Sequence, residues 1–127
     1  KCIDLVYSPD TSFKSDHLIP FAKDAIYWML DSTRHPTFIE NCYEKFTRGE
    51  KRGKIPGHSS PYHSGILCNK ANVEHYIAIH YFWERFADNF ENVEKNILSI
   101  AKKTFKGKTI VSFDLETIPL RLNECVT

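Results

Sequence analysis

No run of about 18 apolar residues occurs in the 127-residue chain, so no segment reads as a membrane-spanning helix. No two cysteines stand as C-x-x-C, which argues against a zinc knuckle and a thioredoxin-type redox site. An H-E-x-x-H pair and a G-x-S-x-G elbow are missing, and with them the common signatures of zinc peptidases and α/β hydrolases. There is no N-x-S/T sequon, so a eukaryotic secretory origin gains no support. An excess of one charge is lacking too. Seventeen Lys and Arg against sixteen Asp and Glu leave +1, and no global field points to nucleic acid or an anionic membrane as partner. The chain opens on Lys1 without a leader-like stretch, which reads as a leader removed or a trimmed chain.

What is present fits one globular domain over 1–127, long enough to bury a core without staples. Aromatic residues make up 13%, favouring a ring-rich core or interface. They concentrate in Asn72 to Phe90, NVEHYIAIHYFWERFADNF. At about 100° per residue, Val73, Tyr76, Ile77, Ile79, Phe82, Trp83, Phe86, Ala87 and Phe90 cover roughly 220° of a helix. Asn72 can act as N-cap. A central, mostly enclosed helix over 72–90 is therefore expected.

The rest of the chain reads as its cover. CIDLVYS alternates as a strand over 2–8, ended by Ser8-Pro9-Asp10. Leu18, Ala22, Ala25, Ile26, Met29 and Leu30, widened by Phe21 and Trp28, predict a helix from Ser15 or Asp16 to about Ser32. Thr37 to Glu40 resemble a capping box, opening a second helix that stops at Gly49. Gly49 to Gly65 hold four glycines and two prolines and read as a long loop. Residues 91–105 form an amphipathic helix closed by Gly107. Residues 108–122 alternate as a strand with Pro119 at an edge. The expected class is α+β, mainly α: about four helices around the central helix, with a small antiparallel pairing of the N- and C-terminal strands.

Four dispersed cysteines suggest two disulfides and an oxidising compartment, with Cys2–Cys125 and Cys42–Cys68 the favoured pairing among three. The alternative is four reduced, buried thiols.

Chemistry concentrates around the loop. His58, His63 and Cys68, with His75 and His80 beyond, contain zinc-suited donors. But His75 and His80 are five apart rather than four, so the spacing argues against a metal site and no cofactor is expected. His80 with Glu84 one turn on reads as a buried, carboxylate-held imidazole. A catalytic reading would pair Ser59, Ser60 or, as first choice of nucleophile, Ser64 with His58 or His63 as base. Asp114 and Glu116 share a strand face, which solvation explains better than acid/base work. Arg48, Lys51, Arg52 and Lys54 with His58, Tyr62 and His63 make the expected contact surface, since loops carry function more often than scaffolds. Tyr27, Tyr62 and Tyr81 are candidate exposed anchors.

These readings favour a non-catalytic protein of the secreted or periplasmic space. Its class would be an inhibitor, an immunity-type partner or an effector, acting on another protein through the 49–65 loop. The alternative is a small hydrolase or metal-dependent enzyme using His58, His63 and the neighbouring serines.

Overall fold

A computed structural model describes residues 5–51, 53, 55–87, 89–113 and 117–120. Its frame is a four-stranded sheet in which every neighbouring pair is parallel, with strand order following chain order. The strands are β1 (Leu5–Ser8), β2 (Tyr27–Asp31), β3 (His75–Ile79) and β4 (Lys108–Val111). Parallel strands need crossovers. The first runs through the short α1 (Ile19–Ala22), the second through α2 (Pro36–Thr47) and α3 (Pro61–Lys70), the third through α4 (Phe90–Lys102).

The expected mainly α arrangement is overturned at its centre. Residues 72–90 are not one helix: 75–79 form β3, 83–85 a single 3-10 turn, and Phe90 opens α4. The expected helix to Ser32 likewise resolves into a 3-10 turn, α1 and β2. The physical reason is the same in both. A strand inside a parallel sheet is buried on both faces, so its residues form an unbroken apolar run, and alternation disappears. Ala25 to Leu30 and Tyr76 to Ile79 are such runs, and nearly all of these residues are buried. The antiparallel terminal pairing is corrected too, because β1 and β4 lie at opposite edges of the sheet.

Alternation reappears once the strands are seen in register. Trp28 and Leu30 of β2, Tyr76 and Ala78 of β3, Val6 of β1 and Val111 of β4 face the helices. They pack there against Ala22 of α1, Leu67 and Cys68 of α3, and Val93, Ile97 and Ala101 of α4. Tyr27, Ile77 and Ile79 lie in a second apolar cluster, against which Met29, Ile110 and Ile118 pack. Gly65 lies where α3 meets α4, and a Cβ there would run into the Thr104 side chain. Its lack of a side chain lets the two helices close on each other.

Helix ends follow local chemistry. Ser60 caps α3, its hydroxyl accepting the His63 amide at 3.2 Å, with Pro61 at the first helical position. Asn89 caps α4 by accepting the Asn92 amide. In α2 the cap is His35 rather than Thr37, its ring accepting the Thr37 amide. Cys42 and Cys68 are free thiols, so the expected bridge between them is not formed. Burial pushes the Cys68 thiol well up, which leaves it inert. Cys2 and Cys125 lie outside the described residues. No helix among the described residues is long and apolar enough to cross a membrane.

Candidate metal centre

Parallel strands deliver their carboxyl ends to one edge of the sheet, and loops leaving that edge are where α/β proteins place ligands. Here the register aligns Ser8 with Leu30 and Asp31 with Ile79. Asp10 follows β1 by two residues, Asp31 closes β2, and His80 follows β3 directly. His58 joins them from the segment leading to the Ser60 cap of α3. One ligand atom from each of the four lies within 4.8 Å of all the others.

Asp31 organises the site. Its side chain has no exposed surface. Oδ1 accepts the Thr33 amide at 2.9 Å and the Ser59 amide at 3.4 Å, and Oδ2 accepts the Thr11 amide at 3.2 Å. Two of those amides belong to the residues following Asp10 and His58, so one carboxylate gathers the loops that bear the other ligands. Such donors satisfy a charge that burial would otherwise make costly. Oδ2 also faces the cluster: His58 Nδ1 lies 2.6 Å from it and His80 Nδ1 3.7 Å. Asp10 closes the ring, with Oδ1 3.1 Å from His80 Nδ1 and 3.9 Å from His58 Nδ1, and is 71% exposed. The cluster is thus anchored at its base and open on one side.

Two carboxylates and two imidazoles form a mixed nitrogen and oxygen donor set suited to zinc and its first-row neighbours. Ligand atoms bound tetrahedrally at about 2.1 Å stand roughly 3.4 Å apart, inside the span of the four. At 2.6 Å the N–H of His58 donates to Asp31, so an ion between them would displace a proton. The residues present fit a divalent transition ion.

The sequence-derived candidates separate. His58 and His80 enter the cluster, and His80 is not the buried imidazole expected beside Glu84. His75 stacks on Tyr27 at the opposite end of β3, at 4.7 Å between rings. The spacing between His75 and His80 therefore has no bearing on a metal. Ser59, Ser60 and Ser64 have no exposed surface. Ser64 Oγ donates 2.7 Å to the Asp31 carbonyl and lies 2.8 Å from Ser59 Oγ. Ser60 Oγ lies 2.7 Å from His63 Nδ1. That is hydroxyl–imidazole contact, yet both members serve the helix cap, and no substrate reaches a buried hydroxyl.

Of the basic set only Arg48 and Lys51 lie among the described residues. Arg48 pairs with Glu50 at 3.0 Å and Lys51 is exposed. Arg52, Lys54, Asp114 and Glu116 lie outside the described residues. Tyr62 is half-buried on α3, Tyr27 is buried, and Tyr81 donates to the Ser112 carbonyl at 2.5 Å. Asp10 and Asp31 were not among the sequence candidates. For Asp31 the available signal was position: a polar residue directly ending a continuous apolar run marks the carboxyl end of a buried parallel strand.

His63 carries a separate expectation. Burial holds its imidazole below the ordinary range, with Glu40 pulling the other way. The unfolded chain then binds more protons just below the ordinary histidine value, so stability falls as pH drops through about 6.5. Urea midpoints measured from pH 8 to pH 5 should decline less in His63→Gln than in the wild type; parallel declines would show that His63 contributes nothing.

No protein-family model matches the chain, and no curated protein matches it in sequence. A solved structure does resemble it: the metallo-beta-lactamase fold protein YhfI from Bacillus subtilis, with a TM-score of 0.59 and 18% identity. The likeness covers 85% of this chain and 36% of that one, so the chain spans about a third of that protein's length. At this identity the likeness concerns the fold. Together with the Asp/His cluster and the free Cys42 and Cys68 it overturns the reading as a disulfide-bonded inhibitor, immunity-type or effector protein.

Proposed function

We propose that this chain carries a metal-binding part of a hydrolytic centre, with Asp10, Asp31, His58 and His80 as ligands to a divalent transition ion. The observation that carries the reading is the buried Asp31 carboxylate. It is fixed by three backbone amides while one of its oxygens faces two imidazoles and a second carboxylate. A bound ion of this kind supplies Lewis acidity and lowers the pKa of a coordinated water. The chain's own part is to hold the donors in place: Asp31 is rigid at the base, and Asp10 stands at the solvent side. The resemblance to a metallo-beta-lactamase fold protein supports the same class. The enzyme alternative thereby narrows to metal-dependent hydrolysis rather than a serine nucleophile.

Metal analysis of the purified chain tests this. Stoichiometric zinc, manganese or iron is expected, or stoichiometric Zn²⁺ uptake by the chelator-stripped protein in competition with a chromogenic chelator. His58→Ala and His80→Ala should each weaken that uptake at least tenfold while the far-ultraviolet circular dichroism stays unchanged. A wild-type chain that takes up no ion, or variants that bind as it does, would end the proposal.

A further inference from the structure

Of the four ligands, His80 is the one whose backbone should not place it at the site. Side chains alternate along β3, and Tyr76 and Ala78 enter the helix-side core. An extended residue 80 would follow them inward. Instead His80 has φ 57°, in the left-handed region that residues with a Cβ seldom occupy. That turn takes the imidazole out of the strand pattern and sets Nδ1 3.1 Å from Asp10. Conformations of this kind persist only where surrounding contacts over-determine them.

The contact at hand is Thr33. Its hydroxyl donates to the His80 carbonyl at 2.7 Å, and its amide donates to Asp31 Oδ1 at 2.9 Å. The same hydroxyl oxygen lies 3.5 Å from His58 Nδ1. Thr33 is itself almost wholly buried, so water does not replace the hydroxyl. The neighbouring ladder reinforces it, with the Ser32 amide donating to the Ile79 carbonyl at 2.9 Å and the Arg34 amide to the Ser59 carbonyl at 3.0 Å. One side chain therefore joins the end of β2 to the turn after β3, between residues 47 apart in the chain.

We infer that Thr33 is a positioning residue for the metal centre, its hydroxyl holding His80 in the left-handed turn that presents the imidazole. The inference rests on the proposed metal reading and adds to it a residue that touches no ion. Hydrogen-bonding partners of this kind set ligand orientation, and their loss typically costs 10–100-fold in metal affinity.

Two pairs of proteins that differ chiefly in the hydroxyl isolate the effect: wild type against Thr33→Val, and Thr33→Ser against Thr33→Ala. Zn²⁺ affinity is measured by chelator competition, and the Co²⁺ visible spectrum is recorded for each. The hydroxyl-bearing members should agree within about threefold, and each hydroxyl-free member should bind about 10–100-fold more weakly with a shifted cobalt band. If Thr33→Val does not fold, the serine and alanine pair gives the same reading. Equal affinity and equal spectra within either folded pair would overturn the inference, since a merely structural hydroxyl would lower the melting temperature alone. A wild type that binds no ion would instead sink the metal reading. The turn would then be read from the His80 imidazole nitrogen resonances in chelator, which the hydroxyl-free variants should shift; unchanged resonances would overturn the role of Thr33.

Discussion

Asp31→Asn should reduce Zn²⁺ affinity at least a hundredfold and lower folding stability by about 2–4 kcal/mol. The carboxylate meets donors on both oxygens: the Thr33 and Ser59 amides on Oδ1, the Thr11 amide and His58 Nδ1 on Oδ2. An asparagine has one acceptor oxygen, so whichever way its amide turns, an NH2 faces donors at a site without exposed surface. Each buried donor left without an acceptor costs about 1–3 kcal/mol. The ion loses an anionic ligand in the same step. Chelator competition measures the first effect and urea unfolding in chelator the second. A variant that binds within threefold of wild type and unfolds at the same urea concentration would show that Asp31 neither ligates nor gathers the loops.

Trp28→Ala should destabilise the chain by about 3–5 kcal/mol, against a typical total of about 5–15. Trp28 lies in the middle of β2, between Val6 and Tyr76 on the flanking strands, with no exposed surface. It belongs to the same core cluster as Ala22 of α1 and Leu67 of α3, and its Nε1 donates to Ser8 Oγ at 3.1 Å. Truncation removes the largest fully buried side chain among the described residues and leaves a cavity that the paired strands cannot collapse into. Phe21 supplies the contrast. A helix over 15–32 would bury both rings on one stripe, whereas in the structure Phe21 is 63% exposed on α1. Phe21→Ala should therefore stay within about 0.5 kcal/mol of wild type. Comparable losses at the two positions, measured by urea unfolding, would restore the helical reading of this segment.

These contrasts show where sequence patterns carry and where they fail. The amphipathic helix expected over 91–105 forms as Phe90–Lys102, and the one opening near Thr37 forms as Pro36–Thr47. Both have a solvated side, so the 3.6-residue period survives in the residues themselves. The first half of α3 falls inside the loop expected over 49–65: Ser60-Pro61 is a strong opening, but Pro61, Ser64, Gly65, Leu67 and Cys68 are all buried and leave no clear apolar stripe to reveal the helix. β2 and β3 fail for the related reason that both their faces are covered.

By itself the sequence determined the two amphipathic helices, a strand near each end and the concentration of histidines around residues 58–80, because each follows from neighbours along the chain. Only the tertiary structure decided that the apolar runs are parallel strands, and that Asp10, Asp31, His58 and His80 meet at their carboxyl ends. Lateral hydrogen bonding between distant segments makes that choice. Residues scattered over the chain become one site because parallel pairing brings the ends of β1, β2 and β3 to the same edge, where the segment before α3 adds His58.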